Sequence, residues 1–61
     1  MRNIILKRFE DKDYVLIARV KEDDTVYEYV AAWHYDQSNK SWGQGHYFSD
    51  LQSALDYISN L

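Results

Sequence analysis

The stretch V-Y-E-Y-V-A-A-W-H-Y at residues 26–35 decides the fold, because apolar side chains fall on both sides of it. In a β-strand, successive side chains alternate between two faces. One side of this stretch carries aromatic rings, at Tyr27, Tyr29, Trp33 and Tyr35. The other side carries Val26, Val30 and Ala32, is interrupted by Glu28 and ends at His34. A strand that is apolar on both sides has to be covered on both. We therefore predict a central strand whose aromatic side meets a second subunit or a ligand.

Three further segments have the apolar, β-branched and aromatic composition of strands. They are Ile4 to Phe9, Tyr14 to Val20 and Trp42 to Phe48. Polar residues typical of turns separate the strands, in the segments Glu10-Asp11-Lys12-Asp13, Lys21 to Thr25 and Asp36 to Lys40. In the last of these loops, Asn39 is the residue best suited to a left-handed conformation. Short polar loops between consecutive strands predict antiparallel hairpins.

A short amphipathic helix is predicted after the fourth strand. Ser49 is placed as its N-cap, and Gln52 three residues later completes an S-x-x-Q capping box. Apolar residues recur at helical spacing at Leu51, Ala54, Leu55, Ile58 and Leu61. We therefore expect a single α+β domain over residues 1–61. Its four-stranded antiparallel meander sheet is followed by one C-terminal helix (ββββα), which lies on one face of the sheet.

The small size of the chain predicts self-association. At 61 residues, the gain from apolar burial and the conformational entropy lost on folding are of similar magnitude. Disulfides cannot tip this balance because there is no cysteine, so an oligomer, either a homodimer or a tetramer, is expected. No apolar run approaches the roughly 18 residues of a membrane span, and the charged start Met1 to Arg8 is unlike a secretory signal. The chain is therefore expected in the cytoplasm, without a membrane partner.

The aromatic side offers a surface for stacking the bases of single-stranded nucleic acid. The candidate rings are Tyr27, Tyr29, Trp33, Tyr35 and, from the last strand, Tyr47. On the neighbouring strands, Lys7 and Arg19 are candidates to contact phosphates. The alternative is that the rings pack against a second subunit, since Tyr and Trp are enriched at interfaces. A net charge of −3 argues against tight nonspecific DNA binding, which depends on many contacts from Lys and Arg.

The histidines and the acidic turns are the candidate metal ligands. His34 and His46 are expected roughly 10–13 Å apart across the last hairpin, which is too far to share an ion. Asp11 and Asp13 in the first turn are candidates to hold Mg²⁺, which accepts one or two protein carboxylates together with substrate phosphates. The alternative is that these acids are ordinary residues of a solvated turn.

The element order and two segments resemble a known fold family. In the order of its elements, with the aromatic strand Val26–Tyr35 and the segment W-G-Q-G-H-Y-F-S-D-L entering the helix, the chain resembles the family of the transcriptional coactivator positive cofactor four. That family has a single-stranded-DNA-binding fold of four antiparallel strands and a terminal helix, and the similarity spans nearly the whole chain. Its helices pair to make dimers, which implies helix pairing here through Leu51, Leu55 and Ile58.

The chain also looks like small phage-borne anti-CRISPR proteins that adopt this fold. The best known of them counters Cas9 indirectly, by nicking supercoiled DNA as an oligomer. The resemblance implies a phage or mobile-element protein in the host cytoplasm that acts as a DNA nickase. Asp13, with Asp11, is then the candidate catalytic residue, and Asp13 the candidate Mg²⁺ ligand. Two alternatives are a noncatalytic inhibitor that binds a host nuclease directly and a noncatalytic single-stranded-DNA-binding module.

Overall fold

The chain forms one antiparallel sheet with a helix against one of its faces. The computed structural model describes residues 1–61. The strands are β1 (Arg2–Phe9), β2 (Tyr14–Val20), β3 (Val26–Asp36) and β4 (Ser41–Phe48), and they lie side by side in chain order. A 3-10 turn (Glu10–Lys12) links β1 to β2, and α1 (Leu51–Ser59) follows β4. The predicted ββββα order is therefore confirmed. No helix has the length and apolarity that crossing a membrane requires.

The helix buries one face of the sheet, which we call the helix face. Its central cluster consists of Leu16 from β2, Ala31 from β3, and Ala54 and Ile58 from α1. Other apolar and aromatic residues pack around this cluster, namely Phe9, Tyr14, Tyr29, Phe48, Leu55 and Tyr57. Ala54 and Ile58 are fully buried, as the predicted apolar stripe requires. Ile58 is therefore buried by its own chain and does not face a second helix, while Leu51, another residue predicted to pair helices, remains exposed.

The opposite face, which we call the open face, has a buried centre although no helix covers it. Val15 and Ile17 of β2 and Val30 and Ala32 of β3 form this second cluster. Three partly buried side chains pack against it, namely Ile5, Tyr35 and Trp42. The chain therefore hides the aliphatic residues of both faces by itself. Burial of these residues does not require the second subunit or ligand that the sequence led us to expect.

The aromatic rings of β3 are divided between the two faces. Tyr29 packs in the helix-face cluster and Trp33 shares its alternation, whereas Tyr35 packs in the open-face cluster. The exchange occurs at His34, whose left-handed backbone (φ 58°) breaks the two-residue alternation. Val26 pairs with Val20 and Glu28 pairs with Arg19, so Tyr27 between them has no partner in β2 and lies in a bulge. The prediction that the four rings share one side is therefore wrong.

The helix begins one residue later than the capping pattern predicted. The N-cap is Asp50, whose carboxylate accepts hydrogen bonds from the Ser53 backbone N–H (2.8 Å) and hydroxyl (3.1 Å). Gln52 donates to the Asp56 carboxylate (2.9 Å) and not back to residue 49. An ionised acid at this position also interacts favourably with the positive end of the helix dipole, which favours Asp50 over Ser49. The predicted Ser49 capping box is wrong.

Removing the Asp50 cap should weaken the fold. We expect Asp50→Ala to lower the free energy of unfolding by about 1 kcal/mol, because two N-terminal donors lose their acceptor. Ser49→Ala is the matched control and should change the free energy of unfolding by less than about 0.5 kcal/mol. Urea denaturation followed by circular dichroism measures both. A larger loss in Ser49→Ala than in Asp50→Ala would contradict the cap assignment.

Candidate nucleic-acid interface

A shallow groove on the open face brings cationic and aromatic side chains together. It has a volume of about 350 Å³ and is lined by Arg19, Lys40, Ser41, Trp42 and Tyr47. Two of the five carry a positive charge and two present a ring. We call this feature the open-face groove. A ligand with an aromatic ring and an anionic group, such as a nucleotide, matches this combination.

Trp42 and Tyr47 form a linked aromatic pair in the groove. The indole Nε1–H of Trp42 donates a hydrogen bond to the Tyr47 hydroxyl (3.1 Å). The indole lies over Gly45, where an added Cβ would sit 2.8 Å from Nε1 and 3.1 Å from Cγ1 of Val30. A residue with a side chain therefore does not fit at position 45 while the indole lies against the sheet. Gly45 sets the position of the Trp42 ring.

Arg19 supplies a guanidinium group that is held in place with spare hydrogen-bond donors. Its Nη1 donates to the Glu28 carboxylate (2.7 Å), directly across the β2–β3 pair. This ion pair is part-buried, and the Nε–H of Arg19 is buried without a partner. A guanidinium carries five N–H donors, so the Nη donors that do not bind Glu28 leave capacity for an anion in the groove.

The β3–β4 loop places Lys40 at the rim of the groove. Asp36 accepts hydrogen bonds from the backbone of Ser38 (2.9 Å) and from the side chain of Asn39 (2.9 Å). These bonds favour the ionised carboxylate, and the Asn39 amide contributes most to lowering the pKa of Asp36 below its ordinary value. Lys40 then adopts the left-handed conformation (φ 52°) that we had predicted for Asn39. The prediction for Asn39 is wrong because its side chain is engaged with Asp36, and the chain turns one residue later.

A second basic and aromatic pair lies on the open face beside the first turn. The Arg8 guanidinium sits 5.9 Å from the Tyr35 ring centroid and donates to the Gln37 side chain (3.4 Å). Arg8 and Tyr35 both line a small pocket of about 130 Å³. Arg8 pairs with Val15 and Tyr35 packs against the Val15 cluster, so this pair lies on the same face as the groove. The open face thus offers cations and rings at two places.

The predicted binding residues are separated by the sheet. Arg19, Tyr35 and Tyr47 lie on the open face. Lys7 pairs with Leu16 and its Nζ lies 5.0 Å from the Phe9 ring centroid, so it belongs to the helix face with Tyr29 and Trp33. Tyr27 is exposed at the β3 bulge. Three residues were missed: Arg8, Lys40 and Trp42. The W-x-x-G-x-Y spacing, with a small residue among rings, was the signal available for Trp42.

The predicted catalytic acid lies beside a histidine. The Asp13 carboxylate is 3.5 Å from Nδ1 of His34, and both side chains are exposed. Both residues also have left-handed backbones (φ 58°). No group of three or more His, Cys, Asp or Glu side chains converges to hold a metal ion, and Asp11 forms no ion pair with His34. Because Mg²⁺ prefers oxygen ligands, one carboxylate beside an imidazole fits it poorly.

Adding a methyl group at Gly45 should displace the Trp42 indole. We expect Gly45→Ala to destabilise the fold by about 1–3 kcal/mol and to shift Trp42 emission to longer wavelength, because the indole is pushed towards solvent. Gly43→Ala is the matched control, since its Cβ would meet only ordinary contacts at 3.5 Å or more. Fluorescence in a Trp33→Phe background isolates Trp42. Equal effects of the two alanines would show that the indole does not rest on Gly45.

No protein-family model, curated protein or solved structure matches this chain. The functional residues are therefore assigned from the distances, burial and charges of the side chains described above.

Proposed function

We propose that the protein binds single-stranded nucleic acid through its open face. The observation that carries this proposal is the open-face groove, in which Trp42 and Tyr47 lie beside Arg19 and Lys40. Aromatic side chains stack on bases of any sequence, and cations beside them neutralise the backbone phosphates. The second pair, Arg8 with Tyr35, extends the same chemistry along the face.

The distribution of charge supports this proposal although the net charge is −3. Most of the acidic residues lie in turns or on the helix, namely Glu10, Asp11, Asp13, Glu22, Asp23, Asp24, Asp50 and Asp56. Glu28 and Asp36 lie in β3, where Glu28 is paired with Arg19 and Asp36 is the last residue of the strand. A nucleic-acid strand that followed the open face would meet Arg19 and Lys40 at the groove, and then Arg8 in a pocket that Glu10 and Asp13 also line.

Single strands fit the open face better than duplexes do. Stacking on Trp42 and Tyr47 requires exposed base faces, which a duplex hides between its own neighbouring pairs. The face also lacks an element that enters a groove of DNA, because its surface is a sheet whose projecting groups are rings. Three cations, at Arg8, Arg19 and Lys40, set the number of phosphates that the face can neutralise.

Binding should depend on Tyr47 and not on an equally exposed tyrosine elsewhere. Fluorescence anisotropy with a labelled oligothymidine at low salt should show saturable binding, and Tyr47→Ala should weaken it about fivefold or more through loss of stacking. Tyr27→Ala is the matched control, since the two residues are 52% and 57% exposed respectively. Lys40→Ala should reduce the salt dependence, whose logarithmic slope is expected near −2 for about three phosphate contacts. No binding at low salt, or equal losses from the two tyrosines, would refute the proposal.

A second candidate function is phosphodiester cleavage at the Asp13–His34 pair. The observation that favours it is the 3.5 Å contact between these side chains, made by two residues that both hold a left-handed backbone. Such backbone conformations are concentrated at functional sites. With Nδ1–H directed at the Asp13 carboxylate, Nε2 of His34 would accept a proton from water as that water attacks phosphorus. The same proton then passes to the oxygen that leaves. No metal enters this scheme.

A supercoiled plasmid tests this second function. The purified protein should convert the plasmid to relaxed circles, and both Asp13→Asn and His34→Gln should reduce the rate at least about a hundredfold. Asp11→Asn serves as the control, because the carboxylate that pairs with His34 belongs to Asp13 and not to Asp11. Absence of relaxed product, or full activity in both pair variants, would eliminate the candidate. Protection of DNA from Cas9 stays a prediction of the family resemblance, and direct binding to a host nuclease stays the noncatalytic alternative to it.

A further inference from the structure

The two edge strands of the sheet differ in whether they carry features that prevent pairing with another strand. The β1 edge carries Arg2, Lys7 and Arg8, and a bulge between Ile5 and Lys7 interrupts its register. The β4 edge reads S-W-G-Q-G-H-Y-F, with no Lys, Arg, Asp, Glu or Pro, and its register with β3 contains no shift. Charges and bulges at an edge prevent pairing with another strand. β1 has both charged residues and a bulge, and β4 has neither.

We propose that β4 pairs with β4 of a second copy of this chain, in antiparallel orientation. The two sheets then become one sheet of eight strands, twice the four of one chain. This inference deepens the proposed function, since it uses the same open face and rests on that function for its consequence. The occupant of the edge is a second copy because the charges that flank β4 are complementary to each other.

The flanking charges set the register of the pairing. Lys40 precedes β4 and Asp50 follows it, so an antiparallel pair places Lys40 of one copy alongside Asp50 of the other, and does so twice. This register puts Gly45 on the two-fold axis and Gln44 opposite His46, with no charged residue facing a like charge inside β4. Self-pairing of β1 would instead bring Arg2 of one copy close to Arg8 of the other, which is repulsive.

The small residues at the centre of β4 also suit this contact. Gly43 and Gly45 flank Gln44, and the absence of a side chain at the axis allows close approach of the two backbones. Tyr47 follows two residues after Gly45, so the grooves of the two copies lie next to each other on a single open face. One nucleic-acid strand could then contact Arg19, Lys40, Trp42 and Tyr47 of both copies.

The chain contains no cysteine, so single-cysteine variants report the pairing directly. Gln44→Cys should be joined to its counterpart in high yield by a short bis-maleimide crosslinker, because diagonal neighbours across a strand pair lie about 7–8 Å apart. Asn3→Cys on the β1 edge is the matched control and should remain uncrosslinked at the same protein concentration. Equal crosslinking of the two variants would overturn the proposal.

Light scattering gives the independent readout. The wild-type protein should approach twice the 7.3 kDa chain mass at high concentration. Lys40→Glu should raise the dimer dissociation constant about tenfold, because the new glutamate of each copy would lie alongside Asp50 of the other and repel it. Lys21→Glu, with the same charge change in the β2–β3 turn, should leave the constant unchanged. A wild-type protein that stays monomeric at high concentration would overturn the proposed dimer. So would a wild-type protein whose β4 edge binds extended peptides but not a second copy.

Oligonucleotide anisotropy separates this inference from the proposed function. A monomeric wild type that still binds oligothymidine through Tyr47 would overturn the dimer and leave the binding function intact. A β4-linked dimer that binds no oligonucleotide would support the pairing and refute the function. A wild-type dimer whose binding of oligothymidine is weakened by Tyr47→Ala supports both.

Discussion

The packing of the Trp42 indole across the open face is the contact on which the rest of the structure depends. It helps to bury Val30 and the neighbouring aliphatic residues without a second helix. It also sets the depth of the groove and holds the Tyr47 hydroxyl through its Nε1–H. Both consequences require Gly45, whose missing side chain leaves space for the ring. One glycine thus links the completion of the core to the shape of the binding surface.

The order of elements could be predicted from the sequence because it depends on local patterns. Apolar periodicity and polar turns identified the four strands, and the helical spacing that includes Ala54 and Ile58 identified the helix. The helix start was misplaced because Ser49 and Asp50 are both good N-caps, and only the path of the chain out of β4 decides between them.

The site was predicted only in part, because the backbone conformation of His34 could not be predicted from the sequence. Arg19, Tyr35 and Tyr47 were identified as binding residues and lie on the open face. Trp42 was not, because strict alternation along β4 places it on the face opposite to Tyr47. The left-handed backbone at His34, opposite Gly43, exchanges the faces of the residues beyond it. Nothing in local propensity requires a histidine to adopt that conformation, so the exchange depends on tertiary packing.

The four left-handed positions of the chain, Asp13, Asp24, His34 and Lys40, all bear side chains, whereas neither glycine adopts this conformation. For a residue with a Cβ this conformation costs backbone energy of roughly 1–2 kcal/mol, and the larger conformational freedom of glycine in the unfolded chain offsets part of what a glycine would recover. At Asp24 a glycine would remove only the exposed ion pair with Arg2. At Lys40 it would also remove a cation of the open-face groove, and at His34 it would loosen the point where β3 exchanges its faces. At these two positions a gain in stability is therefore in direct competition with molecular recognition.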